Sequence, residues 1–427
     1  MISTNASAGT SPPARKDART SNPTILFLLM GVLTLHFVDR QIVAILLPDI
    51  SADLGLSDTE AGVLTGIGFA LLYSILGIPI ARLADRSNRV RIIAAAAAIW
   101  SGMTAVSGLA NGFATMLLAR MGVAIGEAGG IPPLHSLVTD LYTEEKRGRA
   151  FAIVQLGGPV GILLAFFVFG SLAEAVGWRR LFIFTGAFGV AFAVIFWRFT
   201  PEPRARGEAG TAPVPAQAPL GRTIRMLLGV SAYRHLVAGT SIAGFGLYAL
   251  VTWMPSFLGR VFELPREQIG LILGASFGLG GALGVLVFGA LADRFRRRFR
   301  SAHASVPALM LAVAAPFAVA AFLAPSLSLT LAFLVPPIVL ASGWQAPSIA
   351  AVQRVAPPHA RAVAASVLML CLNLIGLGFG PLAVGMLSDA LEPMAGSQSL
   401  RYGMLCIGPA FAWSALHFFV AARRLAD

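Results

Sequence analysis

Apolar stretches of about twenty residues or more follow one another along nearly the whole chain, and that pattern decides its solvent before any motif is read. A helix advances about 1.5 Å per residue, so about 20 apolar residues cross the hydrocarbon of a bilayer. Twelve such stretches fall at 24–49, 59–83, 90–110, 113–140, 149–172, 179–198, 234–257, 268–291, 304–324, 328–353, 362–387 and 402–422. Charged residues make up 12% of the chain, whereas a water-soluble domain carries about 25%. Too little polar surface remains to face water. The expected fold is an all-α membrane protein with twelve transmembrane helices.

The polar segments divide the chain. Residues 1–22, with Arg15, Lys16 and Arg19, read as a disordered cytoplasmic N-terminus. No short apolar region with a cleavage site precedes the first span, which reads as an uncleaved helix. A first six-helix bundle covers 23–199 and a second covers 231–422, with a short cytoplasmic tail at 423–427. Between them, 200–230 is a linker by composition, with Pro201, Pro203, Arg204, Arg206, Pro213, Pro215 and Pro219.

The net charge of +12 is topological. With both termini in the cytoplasm, about 25 of the 32 basic residues fall inside, including Arg82, Arg86, Arg89, Arg91 and the run Arg294, Arg296, Arg297, Arg298 and Arg300. Only Arg179, Arg180, Arg260, Arg266 and Arg401 fall outside. The charge therefore orients the chain, attracts anionic lipid secondarily, and gives no support to nucleic-acid binding. Cys371 and Cys406 lie within apolar runs and read as core residues; no disulfide framework or metal-ligand spacing is present, and no cofactor is expected.

Several segments recur about half a chain apart. Leu83-Ala84-Asp85-Arg86 returns as Leu291-Ala292-Asp293-Arg294, Gly170-Ser171-Leu172-Ala173-Glu174 is echoed by Gly385-Met386-Leu387-Ser388-Asp389, and Arg149-Ala150 matches Arg361-Ala362. Two parallel halves related by an axis along the membrane normal follow from such a repeat.

The Asp-Arg pair with basic neighbours, present in both halves, resembles the loop motif Gly-x-x-x-Asp-Arg-x-Gly-Arg-Arg of the major facilitator superfamily. Both glycines of the first copy are replaced, by Ala81 and Asn88, and Asn88 tolerates a left-handed turn. The second copy keeps Gly289 ahead of Asp293 and Arg294. The resemblance implies the two-bundle fold of that superfamily and gating roles for Asp85, Arg86, Asp293 and Arg294. A carboxylate such as Asp85 beside a helix N-terminus of the other half is stabilised by about 0.3–1 kcal/mol. Such contacts exist in only one conformational state and so bias the equilibrium between states.

Two further stretches, His36-Phe37-Val38-Asp39-Arg40-Gln41-Ile42-Val43-Ala44 with Leu47-Pro48-Asp49-Ile50, and Arg120 with Gly126-Glu127-Ala128, look like those of the spinster transporters. That group is associated with export of sphingolipid signals or lysolipids. Gly157-Gly158-Pro159-Val160-Gly161 resembles the Gly-Pro motif of antiporters, which implies a helix-packing role for Gly157, Gly158, Pro159 and Gly161.

Charged side chains near a bilayer centre cost about 2.5–3.5 kcal/mol each on insertion scales, so Asp39, Arg40, Arg120 and Glu127 imply mutual pairing or a wet cavity. Counted at 1.5 Å per residue, Asp39 lies roughly 14 Å and Arg120 roughly 10 Å from the outer ends of their helices, depths close enough to pair. Glu127 sits two turns below Arg120, near the midplane. Asp39 and Glu127 can exchange a proton, and His36, three residues before Asp39, can extend the path. Arg40 and Arg120 remain charged and can serve as counter-charges for an anionic substrate.

The second half offers few ionisable groups at depth, but Phe245, Tyr248, Trp253, Phe277, Trp344, Gln345, Asn373 and Phe379 instead. Of these, Phe245, Tyr248, Trp253 and Asn373 join Arg40 and Arg120 as expected substrate-binding residues. His135 and Asp140 read as interfacial. A cavity with one charged and one apolar wall suits an amphiphile with an anionic or zwitterionic head. No phosphate-binding glycine loop, zinc-protease motif or nucleophile–base pair is found, which argues against an ATP-driven pump and an enzyme. The expectation is a monomeric, proton-coupled secondary transporter in a plasma or bacterial inner membrane. Its partners are protons, membrane lipid and a small amphiphilic or organic-anion substrate. A small organic anion or drug as cargo, and an uncoupled lipid facilitator, are the alternatives.

Overall fold

The computed structural model describes residues 22–85, 87–203, 219–296, 299 and 301–426. In the first half, span 1 is Pro23–Leu54, span 2 runs through Asp58–Thr65 and Ile67–Asp85, and span 3 is Arg89–Ser107. Span 4 joins Phe113–Glu127 to Ile131–Leu141. Span 5 runs through Glu144–Gln155, Gly157–Leu164, Ala165–Phe169 and Gly170–Val176, and span 6 is Trp178–Phe199. In the second half, span 7 is Ser231–Phe262, span 8 is Arg266–Leu273, Gly274–Gly280 and Gly281–Arg296, and span 9 is Ala302–Leu323. Span 10 is Leu327–Ser342 and Gln345–Val355; span 11 is Arg361–Cys371, Leu372–Phe379 and Gly380–Ala395; span 12 is Ser399–Met404 and Ile407–Ala426.

Among the described residues, ten continuous helical segments are long and apolar enough to cross a membrane. One of them, Pro358–Leu425, contains spans 11 and 12, which turn at Gly396 with φ 53°. Span 4 is interrupted and stands outside the ten. The all-α, two-bundle architecture expected from the apolar runs is the one observed. Large apolar side chains such as Phe188, Leu286, Leu309 and Trp413 are exposed, as a lipid-facing surface requires.

Local chemistry sets the span ends. Asn22 caps span 1 by accepting from the Thr24 amide at 2.9 Å, and Gly55 ends it in the left-handed region at φ 63°. Ser57 and Glu60 form a reciprocal capping box at the start of span 2. Asn88 is not the left-handed turn residue expected of it: at φ −70° and ψ 110° its side chain caps span 3, accepting from the Arg91 amide at 2.8 Å. The end of the compositional linker is also ordered, as helix Leu220–Gly229, whose Thr223 and Leu227 are buried. Residues 1–21, 204–218 and Arg86, and the side chains of Arg82 and Asp85, lie outside the described residues.

Twelve passes leave both termini on one side, so the opposite span ends can be called distal. There the halves meet closely. A Cβ on Gly62 would lie 2.8 Å from the Pro381 carbonyl oxygen, and one on Gly170 would lie 2.8 Å from the Cα of Gly270. Arg260 donates to both carboxylate oxygens of buried Asp58, at 2.7 and 2.6 Å, and Ser388 donates to the same group at 2.6 Å. Asp389 accepts from the Asp58 and Thr59 amides at the N-terminus of span 2, at 3.0 and 2.8 Å. Glu174, which holds the matching place in the repeat, accepts from the Arg266 amide at the N-terminus of span 8 at 3.4 Å. The Arg266 side chain reaches Asp49 at 3.2 Å. Carboxylates thus cap helix N-termini of the opposite half, where the helix dipole favours negative charge.

Arg260→Ala leaves buried Asp58 without its bidentate partner, and hydrogen bonds to charged groups contribute about 1.5–3 kcal/mol each. The purified variant is expected to melt several degrees below the unaltered protein, with Arg260→Lys recovering part of the loss. Identical melting curves would show that the clamp carries no stability.

Candidate functional site: a charged cluster between spans 1 and 4

His36, Asp39 and Arg40 stand three and four residues apart on span 1, so they share one helical face. Glu127 is the last residue of Phe113–Glu127, and residues 128–130 form a turn before Ile131–Leu141 begins. Pro132 and Pro133, which have no amide proton to donate, start the second segment and keep the two from merging. The break leaves Glu127 at a helix end inside the protein.

The polar groups are deeply buried. Relative exposure is 1% for His36, 2% for Asp39, 4% for Arg120 and 0% for Glu127. Arg40 Nε donates to Glu127 Oε2 at 2.9 Å, and His36 Nδ1 lies 3.4 Å from the same oxygen. The pairing expected between Asp39 and Arg120 is not formed: no ion pair is described between them, although they remain close enough to interact electrostatically. Rise along a helix predicts depth but not rotation about the axis, and rotation assigns Glu127 to Arg40. Asp39 Oδ1, Arg40 Nη2, Arg120 Nε and Nη1, and Glu127 Oε1 are buried without a hydrogen-bond partner. Thr104 and Trp100 of span 3 lie beside Asp39.

Span 2 supplies residues that the sequence did not single out. The Arg40 guanidinium carbon lies over the rings of Phe69 and Tyr73, 5.1 and 4.7 Å from their centroids, and that of Arg120 lies 5.6 Å from the Phe69 centroid. Nothing in spacing or composition separates these two aromatics from the many that pack in helical cores.

From the second half, Tyr248 comes within electrostatic range of Arg40 and Tyr73 and packs against the first half's core. Phe245 is half-buried on the same span, and Asn373 is half-buried in the π-helical turn Leu372–Phe379. Trp253 is fully buried and donates from Nε1 to the Pro381 carbonyl at 2.9 Å, so it packs span 7 on span 11. Asp293 lies 3.1 Å from His303 of its own half, and Arg294 is exposed. His135 meets Gln155 at 3.3 Å, and Asp140 binds Arg89 at 2.6 Å. A second titratable pair, His235 and His417 at 2.9 Å, joins spans 7 and 12 apart from the cluster.

The glycine face of span 5 lies on span 1. A Cβ on Gly157 would be 2.6 Å from the Met30 carbonyl oxygen, one on Gly158 3.3 Å from the Phe37 ring, and one on Gly161 2.8 Å from the Phe37 Cβ. Pro159 stands within the same segment, Gly157–Leu164.

A family model described as Major Facilitator Superfamily matches residues 29–421. The chain belongs to that superfamily. Its members are transporters rather than enzymes. The structure superposes on a bacterial homolog to the human lysosomal transporter Spinster, solved in an inward-facing and unoccupied conformation. The TM-score is 0.83 and the identity 30%, over 97% of this chain and 98% of that one. An MFS-type efflux pump of Mycolicibacterium smegmatis is 32% identical over 407 residues, 94% of each chain. A sphingosine-1-phosphate transporter of Xenopus tropicalis is 26% identical over 422 residues, 92% of this chain and 81% of that one. The spinster resemblance read from spans 1 and 4 is borne out.

Gly157→Val is expected to force span 5 away from span 1 and reduce the monodisperse protein recovered in size-exclusion chromatography at least severalfold. Gly148→Ala, at a glycine whose added Cβ meets nothing within 4 Å, serves as the control. Equal recovery of the two would remove the packing role.

Proposed function

We propose that this superfamily member is a proton-coupled secondary transporter of an amphiphilic substrate with an anionic or zwitterionic head, working by alternating access. The observation that carries the reading is the one-sided charged cluster. Arg40, Glu127, Asp39, Arg120 and His36 all belong to the first half, and Tyr248 of the second half comes within electrostatic range of Arg40. Similarity to a sphingosine-1-phosphate transporter supports an amphiphile of this kind.

In this mechanism, ionised Glu127 holds Arg40, and protonation of Glu127 cancels that charge and releases Arg40 for the substrate head. Asp39, within electrostatic range of Arg120 but not paired with it, is the second proton seat, and His36 passes protons towards Glu127. Phe245 and Tyr248 offer aromatic surface to the tail, and Asn373 adds a polar amide to the same wall. The halves are units of 23–199 and 231–422 joined by 200–230, in a plasma or bacterial inner membrane with both termini cytoplasmic. The distal clamp then closes the outer side, and the conformer is inward-facing. Asp85, Arg86, Asp293 and Arg294 act as gate residues on the cytoplasmic side when the clamp opens.

Uptake into proteoliposomes with and without an imposed pH gradient tests the coupling. Glu127→Gln and Asp39→Asn are expected to fold, to lose gradient-driven accumulation at least tenfold, and to retain exchange between loaded and unloaded sides. Full accumulation by both variants, or equal accumulation by the unaltered protein with and without the gradient, would sink the proton role.

Affinity measured across alkyl-chain lengths tests the substrate class. Each buried methylene contributes about 0.8 kcal/mol, so affinity is expected to rise about threefold or more per added CH₂ until the wall is filled. A flat series would favour a small organic anion.

A further inference from the structure

Two guanidiniums lie within the charged cluster, and of these Arg40 alone has a carboxylate in hydrogen-bond contact. Arg40 meets Glu127 at 2.9 Å, while Arg120 Nε and Nη1 have no partner. Like charges repel strongly where the dielectric is low; Glu127 and Asp39 lie within electrostatic range of Arg120, but no ion pair joins either of them to it, and an aromatic ring is what both guanidiniums share. The ring of Phe69 serves both. Its centroid is 5.1 Å from the guanidinium carbon of Arg40 and 5.6 Å from that of Arg120. Tyr73, one helical turn on, adds a second face 4.7 Å from Arg40. The two rings stack at 5.7 Å with 20° between their planes. All three guanidinium–ring distances fall within the about 6 Å over which a ring quadrupole attracts a cation.

Resting on the anion-site reading of Arg40 and Arg120, we propose that Phe69 and Tyr73 are positioning residues, an aromatic platform that holds both guanidiniums side by side with N–H groups left for an anionic ligand head. The chemistry of the partner matters. A carboxylate accepts guanidinium hydrogens and cancels the charge. A ring face attracts the cation from above, cancels nothing, and leaves the planar fork of donors unused. Arg120 Nε and Nη1, buried and without partners, are donors of that kind, as is Arg40 Nη2. The platform therefore converts two mutually repelling charges into one divergent donor set suited to a phosphate or carboxylate head. Tyr248 of the opposite half lies within electrostatic range of Arg40 and Tyr73.

Ordinary core packing makes a different prediction, because leucine fills a similar apolar volume but has no ring quadrupole. The unaltered protein, Phe69→Leu, Phe69→Tyr, Tyr73→Leu and Tyr73→Phe are reconstituted in nanodiscs. Each is titrated with radiolabelled lysophosphatidate and, as the uncharged probe, a monoacylglycerol of the same chain length. The leucine variants are expected to bind lysophosphatidate about tenfold more weakly, to bind monoacylglycerol unchanged, and to be rescued by the ring-retaining variants. Tyr73 is only half-buried, so its pair of variants decides the matter where Phe69→Leu fails to fold. Lysophosphatidate affinity that is equal in leucine and ring variants overturns the platform. So does an equal loss for both probes, which is the signature of packing. An unaltered protein that binds both probes alike overturns the anion-site reading itself, and the platform with it.

Discussion

The 2.9 Å contact between Arg40 and Glu127 lies on side chains that helices in lipid have removed from water, and the surrounding structure has to make that burial tolerable. Taking an ion out of water costs several kcal/mol even after relaxation, and a partner recovers that only with good geometry and further hydrogen bonds. Here the geometry is good and the further bonds are missing. Glu127 Oε1, Asp39 Oδ1 and two nitrogens of Arg120 are buried without partners. A buried polar group left unsatisfied costs about 1–3 kcal/mol, so a cluster kept only as a staple would be a poor one. Groups in this condition are those with capacity left for a proton or an anion, which fits a site that changes occupancy during a cycle.

The backbone around the cluster is irregular in the same regions. Span 4 breaks directly after Glu127, and the matching span 10 breaks at Gly343 and Trp344. Span 2 breaks at Gly66, and spans 5, 8 and 11 each carry a π-helical turn. Spans 2, 5, 8 and 11 all meet the opposite half, as do spans 1 and 7, which are unbroken. Broken hydrogen-bond ladders are tolerated at membrane depth only where protein or a cavity covers them, and π turns concentrate at functional sites. Spans 3, 6 and 9 are each a single helix, whereas span 12, with its exposed Trp413, also breaks, at Leu405 and Cys406.

Much of this was legible in the sequence, because lipid demands long apolar runs and makes any charge within them conspicuous. The spans, the two halves and the membership of Asp39, Arg40, Arg120 and Glu127 in one neighbourhood all follow from that contrast. What stayed hidden depends on rotation and partner choice. Helical rise ranked depths correctly enough to bring Asp39 near Arg120, yet it is Arg40 that meets Glu127. Arg89 reads as a loop charge that orients the chain, but folds fully buried against Asp140 and Glu202. Trp253 reads as part of an aromatic wall and instead spends its N–H on the Pro381 carbonyl. Phe69 and Tyr73 carry no distinguishing signal, since an aromatic under a cation and one in a core have the same spacing. The break after Glu127 did have a signal: Gly129-Gly130 followed by Pro132-Pro133 combines flexible residues with two that cannot donate to a helix.

Span 2 ties these features together. Its N-terminus is held at the distal clamp through Asp58 and Thr59, and Phe69 and Tyr73 lie eleven and fifteen residues further along the chain. At 1.5 Å per residue the rings stand about 17–22 Å below the clamp on one helix, interrupted only at Gly66. A parting of the halves at the distal side separates the first part of span 2 from Asp389 and Arg260, and any shift of that part must either bend at Gly66 or move the rings against Arg40 and Arg120. The backbone at Gly66, with φ −110° and ψ −105°, is already outside helical geometry, so the bend is the less costly response. A joint at Gly66 separates the clamp from the rings mechanically, so that a shift at the one need not displace the other.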